Sequence, residues 1–379
     1  MQATRVVVAF AITAVAGHDR GNHPRNTPMA PIPGGGTVAV TGAAGFIGGW
    51  VVRGLLDRGY RVRACVRDIH DPARTAFLKA MPGHASGRLT LHEADLDRPG
   101  CFDAIFAGCH GVAHVSHVSG YDDVDYIRRT CEHVIASIEA SGTVGRVVVT
   151  SSIAAVMSEV DLQELVRRPV FYEDRFPDEL NPKRSPGRGQ GYSMGKVLAE
   201  RAFATAAAES GRWEAINCCP ADNVGPIQSA HQMAGAWQHQ IECMLRGRYH
   251  QNGAYRPWMT VDVRDAADCH IGLLESVQVR SGERYIAWST DVRNVEDVCA
   301  SIHRLLPELE FDAPEVTDEF PERIKAREAE MRRIWAGCEL RNDRIRAVLP
   351  IRFRSLDESI RDCVESLMAI GGVVPRRRN

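Results

Sequence analysis

TVAVTGAAGFIG, residues 37–48, is the part of this 379-residue chain that says most about its architecture. Its first five residues are small or β-branched, which predicts a buried parallel strand. Glycines follow at positions 42, 45 and 48, and the apolar residues from Trp50 to Leu56 then recur at helical spacing. We therefore predict a strand, a glycine turn and a helix that ends near Gly59.

This glycine turn has the composition of an anion site. Glycines let the backbone approach a pyrophosphate, and the positive end of the following helix favours its charge. The spacing G-x-x-G-x-x-G is one residue longer at its start than the usual dinucleotide fingerprint. A glycine turn without a ligand is the alternative, but the flanking strand and helix favour a bound dinucleotide.

Strands and helices alternate after this loop, which indicates an α/β fold with an open parallel sheet. The predicted strands are 60–66, 89–93, 111–115, 146–150 and 215–219, and the predicted helices are 101–107, 126–140 and 192–208. The carboxyl ends of such strands form the ligand-binding edge of the sheet.

The end of the second strand distinguishes two cofactors. An NAD site normally has an acidic residue here that binds the ribose hydroxyls, whereas this segment carries Arg63, Arg67 and Arg74. The planar fork of an arginine binds a phosphate bidentately, which suits the 2′-phosphate of NADP. Asp68 follows Arg67 directly and leaves room for NAD. We predict that NADP(H) is preferred and that NAD(H) is possible.

Catalytic chemistry is indicated by four residues downstream. Ser151 and Ser152 follow the fifth strand, and the Y-x-x-x-K spacing places Tyr192 and Lys196 on one helix face. A tyrosine with a pKa of about 10 is a poor base at neutral pH, but a neighbouring ammonium favours the phenolate. A serine hydroxyl stabilises charge that develops on a carbonyl oxygen. Strand-end capping and a solvated helix surface are the alternatives for these pairs, yet their order after a glycine loop predicts hydride transfer to or from a carbon–oxygen bond.

The chain resembles an extended short-chain dehydrogenase/reductase, in the branch of dihydroflavonol reductases, cinnamoyl-CoA reductases and microbial aldehyde and ketone reductases. The resemblance rests on TGAAGFIG, RACVRD, EADL, GVAHVS, VVVTSSIAAV, GYSMGK, PADNVGP, VDVRDAADCHI and RSLDESI. It implies a Rossmann doubly wound parallel sheet with a smaller C-terminal substrate-binding domain. The expected boundaries are 1–33 for an N-terminal extension, about 34–220 for the NADP-binding domain, about 221–370 for an interleaved substrate region and 371–379 for a tail. Two departures are the long charged segment from Val156 to Gly191 and Gly195 in place of a commoner serine.

Site residues are carried over by position. The resemblance implies Ser152 as the catalytic serine, Tyr192 as the acid/base and Lys196 as its partner. The expected cofactor contacts are Gly42, Gly45, Phe46, Ile47, Gly48, Arg67, Arg74, Asp95, Leu96, Val115, Ser116 and Pro220. The candidate substrate contacts are His117, Met157, Asn223, Trp237, Trp258 and Met259, with the segment 156–191 as a rim or lid of the pocket.

Composition restricts the remaining functions. A net charge of −2 gives no support to nucleic-acid binding, and no apolar run is long enough to predict a membrane span. We predict no metal site, because His110 and His114 would share one strand face while His117 lies on the other. Eleven cysteines without a C-x-x-C spacing indicate reduced thiols in a cytoplasmic protein. We further expect a monomer or a homodimer.

The N-terminal segment allows three interpretations. Residues 6–16 are mostly apolar, follow Arg5 and end in A-x-A, as a signal peptide does. A membrane anchor or a structural segment is the second alternative. We favour an extension or a misplaced start, with Met29 as the natural first residue, since the family pattern begins close to it.

These observations predict an NADP(H)-dependent oxidoreductase that interconverts a ketone or aldehyde and an alcohol on a hydrophobic small molecule. Three alternatives stay open: a nucleotide-sugar epimerase or dehydratase with tightly held NAD, a 3β-hydroxysteroid dehydrogenase-like enzyme, and a non-catalytic NADP-binding regulator. Arg67 disfavours the first, and the presence of both Tyr192 and Lys196 disfavours the regulator.

Overall fold

A computed structural model describes residues 30–116, 123–157, 162–174, 191–247, 258–293, 295–310 and 321–378. The strands are β1 (Thr37–Thr41), β2 (Arg61–Val66), β3 (Leu89–Glu93), β4 (Gly111–His114), β5 (Arg146–Thr150), β6 (Val170–Phe171), β7 (Glu214–Pro220), β8 (Asp222–Val224), β9 (Trp258–Asp262), β10 (Arg284–Ala287), β11 (Val292–Arg293) and β12 (Glu339–Leu340). The helices are α1 (Phe46–Asp57), α2 (Pro72–Lys79), α3 (Pro82–Ala85), α4 (Asp103–Phe106), α5 (Val124–Ser141), α6 (Ile153–Val156), α7 (Leu162–Arg167), α8 (Gly191–Ser210), α9 (Ala236–Leu245), α10 (Val263–Glu275), α11 (Val295–Leu305), α12 (Pro321–Ala336), α13 (Asp343–Val348) and α14 (Leu356–Ala369). A 3₁₀ helix spans Ala230–Ala234.

The main sheet has seven strands in the order β10-β7-β5-β4-β1-β2-β3. Every neighbouring pair in it is parallel. The order reverses between β1 and β4, which is the switch point where dinucleotides bind in doubly wound sheets. The predicted α/β fold with a Rossmann-like parallel sheet is therefore confirmed.

Side chains on alternate positions of each central strand pack against different helix layers. In β1, Val38 and Val40 pack in a cluster with α1 and α10, whereas Ala39 packs in a second cluster with α5 and α8. This alternation follows from the two-residue period of a strand. Both faces of the sheet are thus covered, which explains why its strands are continuously apolar rather than alternating in polarity.

One predicted helix is much shorter than expected. The prediction spanned 101–107, but α4 covers only Asp103–Phe106. Gly100 and Gly108 flank it with φ angles of 76° each, a left-handed backbone that a helix does not continue through. The short helix is held from outside, because Arg63 donates to the carbonyls of Ile105 and Ala107 at 2.6 and 2.7 Å.

The C-terminal half contributes to two places. A third apolar cluster joins α9, α11 and α14 beside a small sheet of β8, β9 and β11. The chain also returns to the main sheet, where β10 pairs with β7 in the register Ala287↔Pro220. β10 is the edge strand of the sheet, and the Glu173 carboxylate accepts from its Ile286 backbone N–H at 3.3 Å. The domain boundaries stay predictions.

Candidate active site

The glycine loop joins β1 to α1 with very little space between backbone segments. Gly42 has a φ of 67°, and a Cβ there would lie 2.9 Å from the Ser116 backbone N. A Cβ on Gly48 would lie 2.2 Å from the Gly42 carbonyl oxygen. No side chain caps α1 at Gly45, so the N–H groups of its first turn remain for another acceptor. This cradle fits a pyrophosphate in the way that the glycine spacing predicts.

A hydrogen-bond chain connects the loop to the end of β4. The Ser116 backbone N–H donates to Thr41 Oγ1 at 3.1 Å, and Thr41 Oγ1 lies 2.9 Å from His114 Nδ1. Burial, and secondarily the charge of Lys196, lowers the pKa of His114 to about 3. His114 is therefore neutral, and its Nδ1 and the Thr41 hydroxyl share one hydrogen bond. The sequence reasoning treated His114 only as a metal candidate and missed this supporting role.

The basic residues after β2 differ in what they contact. Arg63 is committed to α4, so it is not a free phosphate ligand as the sequence allowed. Arg67 is exposed and forms no hydrogen bond or ion pair with the described residues. Arg74, in α2, lies 3.4 Å from Asp71. Asp68 uses one carboxylate oxygen to accept from the His70 backbone N–H at 2.7 Å. The available cation at this strand end is Arg67.

The remaining predicted cofactor residues lie along the carboxyl edge of the sheet. Asp95 follows β3 and accepts from the Asp97 backbone N–H at 3.0 Å. The Leu96 carbonyl is held by His133 Nδ1 at 2.8 Å. Val115 and Ser116 directly follow β4, and Pro220 ends β7. The sheet topology therefore brings all of these residues to the same edge as the glycine loop.

Ser152 and Ser151 leave β5 in different directions. Ser152 Oγ accepts from the Ala154 backbone N–H at 3.1 Å and so caps α6. This bond uses a lone pair of the hydroxyl and leaves its proton for donation to another oxygen. Ser151 Oγ instead donates to the buried carboxylate of Glu200. Capping, the alternative role for this pair, is therefore observed at Ser152, and it is compatible with the predicted catalytic role.

Tyr192 and Lys196 lie one turn apart at the start of α8. The Lys196 ammonium is 5.8 Å from the centroid of the Tyr192 ring and donates to the Thr150 carbonyl at 2.9 Å. Lys196 is buried, whereas 43% of Tyr192 is exposed. Ser193 Oγ donates to the Ala154 carbonyl at 2.6 Å and attaches this first turn to α6. The Tyr–Lys pair is thus fixed beside the strand end that carries Ser152.

Two buried side chains, His270 and Glu200, form hydrogen bonds with the end of β5. His270 Nδ1 lies 2.6 Å from the Ala266 carbonyl, and its Nε2 lies 2.7 Å from Thr150 Oγ1. Since the carbonyl can only accept, Nδ1 carries the proton and Thr150 donates to Nε2. Burial, and to a smaller extent the charge of Lys196, lowers the pKa of His270 to about 4 against the opposing effect of its hydrogen bond to Ala266. Lys196 therefore faces neutral imidazoles rather than competing cations.

Glu200 is the second support, and the sequence reasoning missed it. Both Nε and Nη2 of Arg284 donate to its Oε2, at 2.7 and 2.5 Å, while Ser151 donates to its Oε1. Glu200 lies one turn beyond Lys196, so α8 is attached to β5 at two consecutive turns. The spacing of four residues from Lys196 was the available signal, because it places Glu200 on the same helix face.

The candidate substrate residues are dispersed. Met157 and Met259 are buried in the apolar cluster that includes α1 and α10, and Trp237 is buried in the third cluster with α11 and α14. Asn223 lies in β8 and donates to the Ala221 carbonyl at 2.9 Å. His117 and most of the segment 156–191 lie outside the described residues, as does the side chain of Trp258.

Three general properties complete the description. All eleven cysteines lie in described segments and are free thiols. No group of three or more His, Cys, Asp or Glu side chains within these segments is placed to hold a metal ion. None of the described helices is sufficiently long and apolar to span a membrane.

Comparison with known proteins identifies the family. Residues 38–287 match the NAD dependent epimerase/dehydratase family. The chain is 33% identical to dihydroflavonol 4-reductase of Zea mays over 287 residues, 74% of this chain and 76% of that protein. It is 33% identical to a cinnamoyl-CoA reductase of Medicago truncatula over 288 residues, 72% of this chain and 83% of that protein.

A solved structure supports the fold. The crystal structure of Gre2 from Candida albicans in complex with NADPH matches 88% of this chain and 99% of its own, with a TM-score of 0.70 and 20% identity. At 20% identity this structure shows only a shared fold, whereas the sequence matches show the family. The chain therefore belongs to the NAD-dependent epimerase/dehydratase family as an extended short-chain dehydrogenase/reductase, and the prediction of an NAD(P)-dependent oxidoreductase is confirmed.

Proposed function

We propose that the protein reduces the carbonyl group of a hydrophobic ketone or aldehyde to an alcohol, with NADPH as the preferred cofactor. The observation that carries this proposal is the placement of the Lys196 ammonium between the Tyr192 ring and the Thr150 carbonyl, at the strand end that carries Ser152. The curated relatives are named as reductases, which supports the same direction of chemistry.

The chain's own residues have distinct roles in this reaction. When bound, the nicotinamide supplies the hydride that adds to the carbonyl carbon. The Ser152 hydroxyl donates a hydrogen bond to the carbonyl oxygen and stabilises the charge that develops there. Tyr192 Oη transfers its proton to that oxygen, and the neighbouring Lys196 ammonium stabilises the phenolate that remains. The exposed ring of Tyr192 fits this role, because the phenol must reach a bound substrate.

The choice of NADPH rests on the second strand end. Arg67 is exposed there without a protein partner among the described residues, whereas Asp68 accepts from its own loop. A 2′-phosphate would give Arg67 a charge-assisted partner. The NADPH complex of Gre2 is consistent with this choice. The predicted cytoplasmic location and the monomeric or dimeric state stay predictions.

The proposal is tested by a substrate panel. Aromatic and aliphatic aldehydes and ketones are incubated with NADPH and, separately, NADH, and consumption of the reduced cofactor is followed by its absorbance. We expect turnover with bulky apolar carbonyl compounds and a higher kcat/KM for NADPH. UDP-sugars serve as competitors. Inhibition by micromolar UDP-sugar, with no turnover of any carbonyl compound, would favour an epimerase and contradict the proposal.

A further inference from the structure

The 3₁₀ helix of the C-terminal half contacts the glycine loop directly. His231 Nε2 lies 2.7 Å from the Ala44 carbonyl oxygen. Gln232 Nε2 donates to the Gly45 carbonyl at 3.2 Å and lies 3.4 Å from that of Ala44. The Nδ1 atom of the His231 ring lies 3.0 Å from the Ala73 carbonyl oxygen and 3.0 Å from Ser229 Oγ, so His231 donates to Ala44 in the tautomer that carries its proton on Nε2. In that tautomer two adjacent side chains, both outside the segment expected to bind the cofactor, bind two consecutive carbonyls of the pyrophosphate loop.

These contacts add to the helical bond that orients the loop's peptide groups, since the Gly45 carbonyl also accepts from the Gly49 backbone N–H of α1 at 3.0 Å. In a trans peptide the C=O and N–H bonds point in opposite directions. When Gln232 holds the Gly45 carbonyl, the N–H of Phe46 in the same peptide points to the other side, into the anion cradle. That N–H has no partner within the helix, because Phe46 is the first residue of α1. A hydrogen bond to the carbonyl also polarises the peptide and makes its N–H a stronger donor.

The two side chains are themselves held in place. Gln232 is 4% exposed, and its Oε1 accepts from the Gln228 backbone N–H at 2.8 Å. The His231 ring packs against Phe77 of α2, with ring centroids 6.0 Å apart. Ser229 Oγ, two residues before His231, donates to the Ala73 carbonyl of the same helix at 3.1 Å. The segment 228–232 is therefore anchored on α2 while it contacts the loop.

We propose that His231 and Gln232 are positioning residues that hold the glycine loop in the conformation that binds the pyrophosphate of the nicotinamide dinucleotide. This inference rests on the proposed function, because it takes the loop as the cofactor site. It assigns cofactor affinity to a segment that the sequence placed in the substrate region. Since NADPH and NADH share the pyrophosphate, both cofactors depend on these contacts.

The test compares two replacements of similar length. His231→Gln keeps an N–H donor near the position of Nε2, whereas His231→Met keeps the bulk without a donor. Dissociation constants for NADPH and NADH are measured by fluorescence titration without substrate, and His239→Ala in α9 is the control. A neutral hydrogen bond contributes about 0.5–1.5 kcal/mol, so His231→Met should weaken both cofactors about 2–10-fold. His231→Gln should restore most of the affinity, and the control should leave it unchanged.

Three outcomes decide the matter. Equal affinities for the His231→Met variant and the unchanged protein would overturn the proposal, as would a His231→Gln variant as weak as His231→Met. A loss confined to NADPH would assign His231 to the 2′-phosphate instead and also contradict it. If neither variant folds, Gln232→Met is titrated in the same way, with the same expected direction. Failure of the unchanged protein to bind either cofactor would refute the proposed function itself, which separates the two failures.

Discussion

Neutralising Glu200 should destabilise the protein far more than neutralising an exposed carboxylate. Glu200→Gln keeps the size and a hydrogen-bonding oxygen of the side chain but removes its charge. The Arg284 guanidinium would then lose the carboxylate charge that both its Nε and its Nη2 contact, in a site where the side chains of Arg284 and Glu200 are only 9% and 4% exposed. The same change at Glu132, whose ion pair with Arg128 lies on the surface of α5, is the matched control.

The structure gives the expected size of both effects. Removing one member of a buried ion pair costs about 3–5 kcal/mol, because a desolvated charge is left unpaired. An exposed helix pair four residues apart contributes about 0.3–0.5 kcal/mol. We therefore expect Glu200→Gln to lower the free energy of unfolding by about 3 kcal/mol, and Glu132→Gln to change it hardly at all. The double variant Glu200→Gln/Arg284→Met removes both charges and should recover much of the loss.

Urea denaturation followed by tryptophan fluorescence measures these differences as shifts of the transition midpoint. The double-mutant cycle isolates the coupling between residues 200 and 284. Two results would refute the reasoning: a midpoint for Glu200→Gln as close to the unchanged protein as that of Glu132→Gln, or a double variant as unstable as the sum of the single ones. Either result would mean that the Arg284 charge is hydrated or otherwise compensated.

Three further predictions follow from the site. Tyr192→Phe should lower kcat about 10²–10⁴-fold, the usual contribution of general acid catalysis, while the dissociation constant of NADPH stays unchanged; more than a tenth of the original activity would contradict the role. Arg67→Ala should weaken NADPH far more than NADH, since hydrogen bonds to charged groups contribute about 1.5–3 kcal/mol, and equal losses would exclude Arg67 as the 2′-phosphate ligand. The lowered pKa values of His114 and His270, about 3 and 4 against 6.5 for a free histidine, mean that the unfolded chain binds more protons between these limits. Their contribution to stability is complete above pH 6.5 and is lost as the pH falls towards about 4 for His270 and about 3 for His114. The unfolding free energy should therefore fall between pH 7 and 5, and His270→Gln should reduce that slope; an unchanged slope would contradict the assignment.

Local patterns predicted the parts of the molecule that depend on neighbouring residues. The glycine spacing located the β1–α1 turn, and the apolar runs located the central strands within one residue of their observed ends. The Y-x-x-x-K spacing placed Tyr192 and Lys196 on one face of α8. These features follow from strand and helix periodicity, which short stretches of sequence already contain.

The features that the sequence did not reveal are long-range pairings. Glu200 meets Arg284 across 84 residues, and His231 meets Ala44 across 187. Arg63 resembled a phosphate ligand by its position, but its guanidinium is used by the carbonyls of α4. The length of α4 was overestimated because Gly100 and Gly108 adopt left-handed backbone, which composition alone does not dictate. The sequence therefore located the candidate catalytic residues better than the groups that hold them in place.

The position of β10 has a consequence for how the chain is synthesised. Every proposed catalytic residue has been synthesised by residue 196, yet the sheet that carries them is completed only by residues 284–287. Until then β7 pairs only with β5 and leaves its other edge open, and such edges pair with other chains. Glu200 also lacks its cation during this interval, so the nascent N-terminal half should remain a partly structured intermediate. A fragment ending near residue 220 would be expected to aggregate. For the same reason, the order of the strands predicts that the nascent chain depends on chaperones during translation.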